Sequence, residues 1–281
     1  MKETLDTSCR ICYGTDTYLK SQKMSLYKCN TCDHTYTVIP RVEEEKYEDD
    51  YYITVHKNWF ANPDYALFEN VYETAKGFLG NDPVKLADIG CGQGAFLKHL
   101  QVKYKNENPD LNGMDIIKNE HPGIKFESGD FLEMDFKEGY NMITSFMVIE
   151  HVIDPHLFIK KMVESLTPNG VIVVNTINNG SLVYRVARFL NNLGFPTAHD
   201  RLYNHHHLQH YTNKSLIKLL NMQGLNVVKV KNHNYQLKAV DTPDNNALVT
   251  GIYKLMVAIL FMVSMPLNLG HHQTLYCTKK A

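Results

Sequence analysis

The chain has 281 residues, 44% of them hydrophobic and 21% charged, which excludes a disordered or fibrous protein. Lys plus Arg number 29 against 30 for Asp plus Glu, a net charge of −1, so the basic excess of a dedicated nucleic-acid binder is missing. The length fits one large domain, or one domain and a small module.

Four of the six cysteines fall within the first 32 residues, as Cys9-x2-Cys12 and Cys29-x2-Cys32. Each pair can form a knuckle that presents two thiolates to one tetrahedral ion, and two knuckles close the shell. The expectation is a zinc ribbon over residues 1–40 whose metal is structural, because a closed four-sulfur shell leaves no position for substrate. A module this small cannot hold its fold by a core alone. His34 is expected at its surface. The opening residues carry no apolar run, so the reading is a cytoplasmic protein without a secretory leader, where paired cysteines bind metal more often than they form disulfides.

Residues 41–83 read as a connector followed by a helical segment. Residues 41–52 are acidic and rich in tyrosine, including Tyr47, Tyr51 and Tyr52, and residues 53–80 place Phe60, Phe68, Val71, Tyr72 and Ala75 on an approximate apolar face. Trp59 and these tyrosines can close over a ligand or serve as core. Asn81-Asp82-Pro83 ends the pattern.

Residues 84–281 alternate strands with helices. Strands are expected at 84–89, 110–116, 124–127, 140–146, 171–176, 225–230 and 274–278, and helices at 95–104, 157–166, 182–191 and 213–222. The fold class is α/β, a doubly wound, seven-stranded, mainly parallel sheet with a small N-terminal zinc-ribbon module. Two long insertions, 177–212 and 232–272, follow late strands at the end of the sheet where such folds bind ligands.

The first of these strands runs into Asp88-Ile89-Gly90-Cys91-Gly92-Gln93-Gly94. Glycines let the backbone turn sharply and let a ligand approach its amides. The G-x-G-x-G spacing differs from the G-x-G-x-x-G dinucleotide fingerprint, and Asp88 disfavours a pyrophosphate. The next strand ends in Asp115-Ile116, where an acidic residue can accept hydrogen bonds from ribose hydroxyls. Asp130-Phe131 follows the third strand and can grip an adenine.

With Ile149-Glu150-His151-Val152-Ile153-Asp154-Pro155 added, the sequence over about residues 84–280 resembles the class I S-adenosylmethionine-dependent methyltransferases. The layout of ribbon, tyrosine-rich segment and core is similar to a bacterial subgroup that acts on sugars, polysaccharide precursors or secondary metabolites. The resemblance implies that Asp88, Gly90, Gly92 and Gly94, around Cys91, line the methionine part of the cofactor. It further implies that Asp115 and Ile116 hold the ribose, Asp130 and Phe131 the adenine, and that Ser145, Phe146 and Met147 border the sulfonium. Cys277 is expected in the core of the last strand.

Methyl transfer to oxygen or carbon benefits from a general base. His151 follows the fourth strand near the expected methyl position. Asn204-His205-His206-His207-Leu208-Gln209-His210 supplies further candidates, and His207 and His210 share a face if that turn is helical. Ubiquinone-biosynthesis O-methyltransferases carry a second Glu three residues before Glu150; here Met147 stands there, which argues against a catalytic metal. Arg185 and Arg188 can meet a phosphate or carboxylate. The apolar stretch 247–269 is interrupted by Lys254 and is short for a spanning helix. Core packing is its default reading, a homodimer interface or a membrane-surface contact the others. The expected partner is a small-molecule substrate, nucleotide-, phosphate- or lipid-linked. An RNA methyltransferase that uses the ribbon to hold RNA and a non-catalytic cofactor-binding subunit are the competing readings; near-neutral charge argues against RNA.

Overall fold

A computed structural model describes residues 6–38, 58, 61–134, 139–203, 206–240 and 247–280. The tyrosine-rich connector, Trp59, Phe60 and His205 lie outside the described residues.

A seven-stranded sheet organises the chain. Its strands are β4 (Lys85–Ile89), β5 (Asp110–Asp115), β6 (Lys125–Ser128), β7 (Tyr140–Phe146), β8 (Leu166–Ile177), β10 (Leu225–His233) and β11 (His272–Lys279). Their order is β10-β11-β8-β7-β4-β5-β6. From β8 to β6 all neighbours are parallel, and β11 enters antiparallel between β8 and β10. The central strands carry Val, Ile and Leu on both sides, as expected where helices cover both faces. The strand order reverses at β4, which pairs with β5 on one side and β7 on the other. Ligands bind at such a switch point, beyond the carboxyl ends of the strands.

Helices α1 (Tyr65–Leu79) and α2 (Ala95–Lys103) pack Val71, Tyr72, Phe96 and Leu97 on one face. Helices α3 (Pro155–Ser165) and α6 (Asn213–Met222) pack Phe158, Ile159, Leu216 and Leu219 on the other. Local chemistry sets their starts. The Asp64 carboxylate accepts the Leu67 N–H, and that of Asp154 accepts the Leu157 N–H, with Pro155 in the first turn of α3. Thr212 and Ser215 form a reciprocal capping box that starts α6 at Asn213.

That capping box fixes one departure from expectation. The histidine-rich segment ahead of it is not helical: Gln209–His210 is a short strand, β9, antiparallel to Thr35–Thr37 of the ribbon. The ribbon strands β1 (Thr17–Ser21), β2 (Leu26–Cys29) and β3 (Thr35–Thr37) therefore form a four-stranded sheet, β1-β2-β3-β9, whose last strand comes from the main domain.

His34 also departs from expectation. It is fully buried between the ribbon and the core. Its ring contacts Gln209 Oε1 at 2.9 Å and Ser215 Oγ at 3.4 Å. Burial pushes its pKa down to about 4, so it is neutral at pH 7.

The two insertions carry α4 (Leu182–Asn192), α5 (Thr197–Leu202) and α7 (Ala247–Ser264). Core packing does not hold for α7: only Phe261 and Ser264 are buried along its 18 residues.

Candidate active site and metal centre

A cavity of about 730 Å³ opens beyond the carboxyl ends of β4, β5 and β7, within the range of small-molecule sites. The glycine loop forms one wall. Gly90 has φ +71°, and a β-carbon there would come within 2.2 Å of Val148 Cγ2. Gly92 has φ +53° and open space where its β-carbon would stand. Only glycine adopts both conformations readily, so the loop is tight on the protein side and bare on the ligand side.

Asp88, at the end of β4, is buried and accepts a hydrogen bond from Thr144 Oγ1 at 2.7 Å. Burial pushes its pKa up to about 7, the Thr144 hydroxyl opposes that shift, and the Asp115 charge adds to it. Asp115, at the end of β5, accepts the Gly92 N–H on Oδ2 at 2.7 Å and the Ile117 N–H on Oδ1 at 3.0 Å. The two strand ends are thus joined across the loop.

Of the residues assigned to the cofactor, Asp88, Gly90, Cys91 and Gly92 line the cavity from β4, and Asp115 and Ile116 from β5. Asp130 and Phe131 line it from the loop after β6, and Phe146 and Met147 from the end of β7. Gly94 is not among the lining residues; it caps α2 in the left-handed conformation. Ser145 is buried and also absent from the lining. Met147 has φ +56°, a strained setting for a non-glycine residue, and its N–H is held by the Asn175 carbonyl at 2.9 Å.

The turn after Met147 brings three titratable groups together. His151 Nδ1 donates to the His206 carbonyl at 2.8 Å. A carbonyl can only accept, so the neutral imidazole carries its proton on Nδ1 and its basic lone pair on Nε2. The His151 and His207 rings meet edge to face, 4.9 Å between centroids, and both line the cavity. Glu150 is buried beneath them. Thr176 Oγ1 donates to its Oε2 at 2.8 Å, while Oε1 has no hydrogen-bond partner among the described residues. Burial pushes the Glu150 pKa up to about 7. One donor atom each from Glu150, His151 and His207 lies within 4.8 Å of the others, so this group could hold a metal despite Met147, with His207 in place of the missing carboxylate.

His210 is placed elsewhere. It is buried against Tyr203, 4.7 Å between ring centroids, and is absent from the cavity lining. Because β9 is extended, His207 and His210 do not share a helical face, as the sequence spacing had allowed. Arg188 is tied to Asn179 and Tyr203, and Arg185 to the Gly180 carbonyl. Arg201 stands at the cavity edge, stacked over the Tyr253 ring at 5.5 Å. Sequence reasoning missed it. It also missed His271 and His272, which line the cavity from the start of β11; the paired histidines before the last strand were the available signal.

In the ribbon, Cys9 Sγ lies 3.5 Å from Cys32 Sγ, and Cys12 Sγ 3.5 Å from Cys29 Sγ. All four sulfurs lie within 4.8 Å of one another. A tetrahedron with zinc–sulfur bonds near 2.3 Å has sulfur–sulfur edges of about 3.8 Å, so the four thiols have the chemistry and the spacing for one zinc ion. Their separations are far longer than a disulfide bond of about 2.05 Å.

A family model described as a methyltransferase domain matches residues 60–230. Similar sequences include a ubiquinone biosynthesis O-methyltransferase of Bradyrhizobium diazoefficiens, 29% identical over 34% of this chain and 40% of that protein. They also include a malonyl-[acyl-carrier protein] O-methyltransferase of Calditerrivibrio nitroreducens, 27% identical over 41% of this chain and 47% of that protein. The chain thus spans less than half the length of these relatives. Among solved structures, a SAM-dependent methyltransferase from Archaeoglobus fulgidus superposes with a TM-score of 0.53 at 17% identity, covering 82% of this chain and 100% of that one. The Burkholderia thailandensis 1,6-didemethyltoxoflavin-N1-methyltransferase, solved with 1,6-didemethyltoxoflavin and S-adenosylhomocysteine, gives 0.53 at 11% identity over 94% and 98%.

Proposed function

Because the chain belongs to the methyltransferase domain family, we propose that it transfers a methyl group from S-adenosylmethionine to a small molecule, with a sugar or polysaccharide precursor as the acceptor class. The observation that carries this reading is the convergence of Asp88, the bare Gly92, Asp115 and His151 on one cavity. The residues fit the cofactor: a buried carboxylate for its cationic end, open space at the side-chain-free Gly92, and a second carboxylate for ribose hydroxyls. S-adenosylmethionine, when bound, supplies an electrophilic methyl on sulfur.

The residues of this chain do the rest. Asp88 accepts from the amino-acid end, Asp115 fixes the ribose, and Phe131 packs on the base. His151 Nε2 takes the proton from the acceptor, and its Nδ1–H bond to the His206 carbonyl keeps the ring in that tautomer. The His207 ring packs edge to face against this imidazole, and the buried Glu150 carboxylate balances the charge it gains. Apolar residues of α4 and α7 exclude water.

Cys9, Cys12, Cys29 and Cys32 hold one structural zinc in this reading. Transfer of labelled methyl to a panel of nucleotide sugars and polyol phosphates, abolished in Asp88→Ala, tests the proposal. Transfer that survives Asp88→Ala would overturn the cofactor assignment.

A further inference from the structure

Helix α7 is apolar enough to cross a membrane, yet 11% of its window is buried. Its exposed apolar side chains include Leu248, Ile252, Leu255, Ile259, Met262 and Val263. At 100° per residue these fall on one arc of roughly 100°, which the exposed Val249 and Met256 widen to about 140°, and they run about 22 Å along the helix axis. No polar side chain interrupts that arc. Its flank toward the protein lines the cavity with Tyr253, Val257 and Leu260. The adjoining α4 and its following loop add exposed Phe189, Leu193 and Phe195. Monomeric proteins rarely leave so large an apolar surface to water.

Three observations say what covers it. First, α7 cannot span a bilayer. Its two ends lead to β10 and β11, which are adjacent strands of one sheet, and a single traverse would part them. Second, the described residues of the two insertions hold five basic side chains, Arg185, Arg188, Arg201, Lys238 and Lys254. Against them the two insertions hold three acids, Asp200, which is paired with Lys23, and Asp241 and Asp244. That net basic balance, with Arg201 exposed at the cavity edge, suits an anionic surface. A second copy seated face to face would bring like charges together. Third, the arc offers no hydrogen-bonding group, whereas protein interfaces carry about one hydrogen bond per 100–200 Å².

We propose that α7 lies in the plane of an anionic lipid surface, with α4 beside it, so that the cavity opens at the headgroup level. Arg201, stacked on Tyr253 at the cavity edge, then meets the phosphate of a lipid-linked acceptor. The seat stands without any methyl-transfer chemistry; the lipid-linked acceptor rests on the function proposed above.

The test is co-sedimentation of the full, zinc-loaded chain with vesicles of phosphatidylethanolamine and phosphatidylglycerol, against phosphatidylcholine alone. The expected result is partition into the anionic vesicles that falls at least tenfold in Leu255→Asp/Met262→Asp and weakens in 0.5 M salt. Both substituted side chains are absent from the cavity lining, so S-adenosylhomocysteine binding by calorimetry should be unchanged and reports the fold. No partition of the wild type while that binding is intact would overturn the membrane seat alone. Loss of the cofactor binding in the wild type would instead overturn the proposed function. A stable dimer in light scattering, dissolved by the same double variant without vesicle binding, would assign the surface to a second copy and overturn the lipid reading.

Discussion

His151 illustrates how one hydrogen bond can set a chemical role. Its Nδ1–H is spent on the His206 carbonyl, which leaves Nε2 as the basic atom. His151→Ala should lower the methyl-transfer rate by about 10²–10⁴-fold, the usual worth of a positioned base. Cofactor affinity should change little, and paired turnover and calorimetry measurements check both. Asp88 makes a pH prediction with a definite sign. Its carboxyl holds its proton up to about pH 7 in the ligand-free fold but releases it near pH 3.9 in the unfolded chain. The native state therefore binds more protons across that window, and this residue's contribution to stability falls as pH rises from about 4 to 7. A cationic ligand favours the ionised form, so affinity for S-adenosylmethionine should rise between pH 6 and 8 with proton release. Asp88→Asn should flatten both dependences, by melting curves and by titration in two buffers. Gly90→Ala should fail for a backbone reason, since the new methyl would sit 2.2 Å from Val148 Cγ2 at φ +71°. A loss of roughly 1–3 kcal/mol is expected in denaturant unfolding.

At the scale of elements, the ribbon and the active site share a sheet. Strand β3 pairs with β9, and the backbone N–H groups of Leu208 and Gln209 bond the Glu150 carbonyl at 2.8 and 2.9 Å. The metal module is thereby linked through one strand to the turn that carries Glu150 and His151. Lys214 to the Thr31 carbonyl, His156 to the Ile11 carbonyl and Asn179 to Thr35 add further ties. Cys29→Ser, or zinc removal by a strong chelator, should raise hydrogen exchange in residues 206–212. It should also cost more in turnover than in cofactor affinity. Unchanged exchange there would separate the ribbon from the site. This coupling was not legible in the sequence, because β9 is two residues long and takes its partner from about 170 positions away. Helix propensity across four histidines could not compete with a strand edge that is visible only once the ribbon is folded. His34 was misplaced for the same reason: its burial comes from Gln209 and Ser215, residues of the other domain. The seven strands and the glycine loop, by contrast, were legible, because apolar periodicity and turn chemistry act over a few neighbouring residues.

For the whole molecule, the sheet order puts Asp88, Asp115 and the turn after β7 at one end, where β4 reverses the winding. The insertions then roof that end with α4, α5 and α7 and supply its least polar walls. Composition alone understated this division. A net charge of −1 conceals a basic excess within the two insertions, five bases against three acids, and a globular hydrophobic fraction conceals how much of it lies on the outside. The exposed arc of α7 followed from burial and could not be read from hydropathy, which gives the same signal for a core helix. The shape and the carboxylates of the cavity at the β4 switch point suit an adenosyl-sulfur cofactor. Calorimetric titration of the zinc-loaded protein with S-adenosylhomocysteine tests it most directly. One site per chain is expected, weakened roughly ten- to a hundredfold in Asp115→Ala by the loss of charge-assisted hydrogen bonds. A folded wild-type protein that binds none of the ligand at millimolar concentration would contradict it.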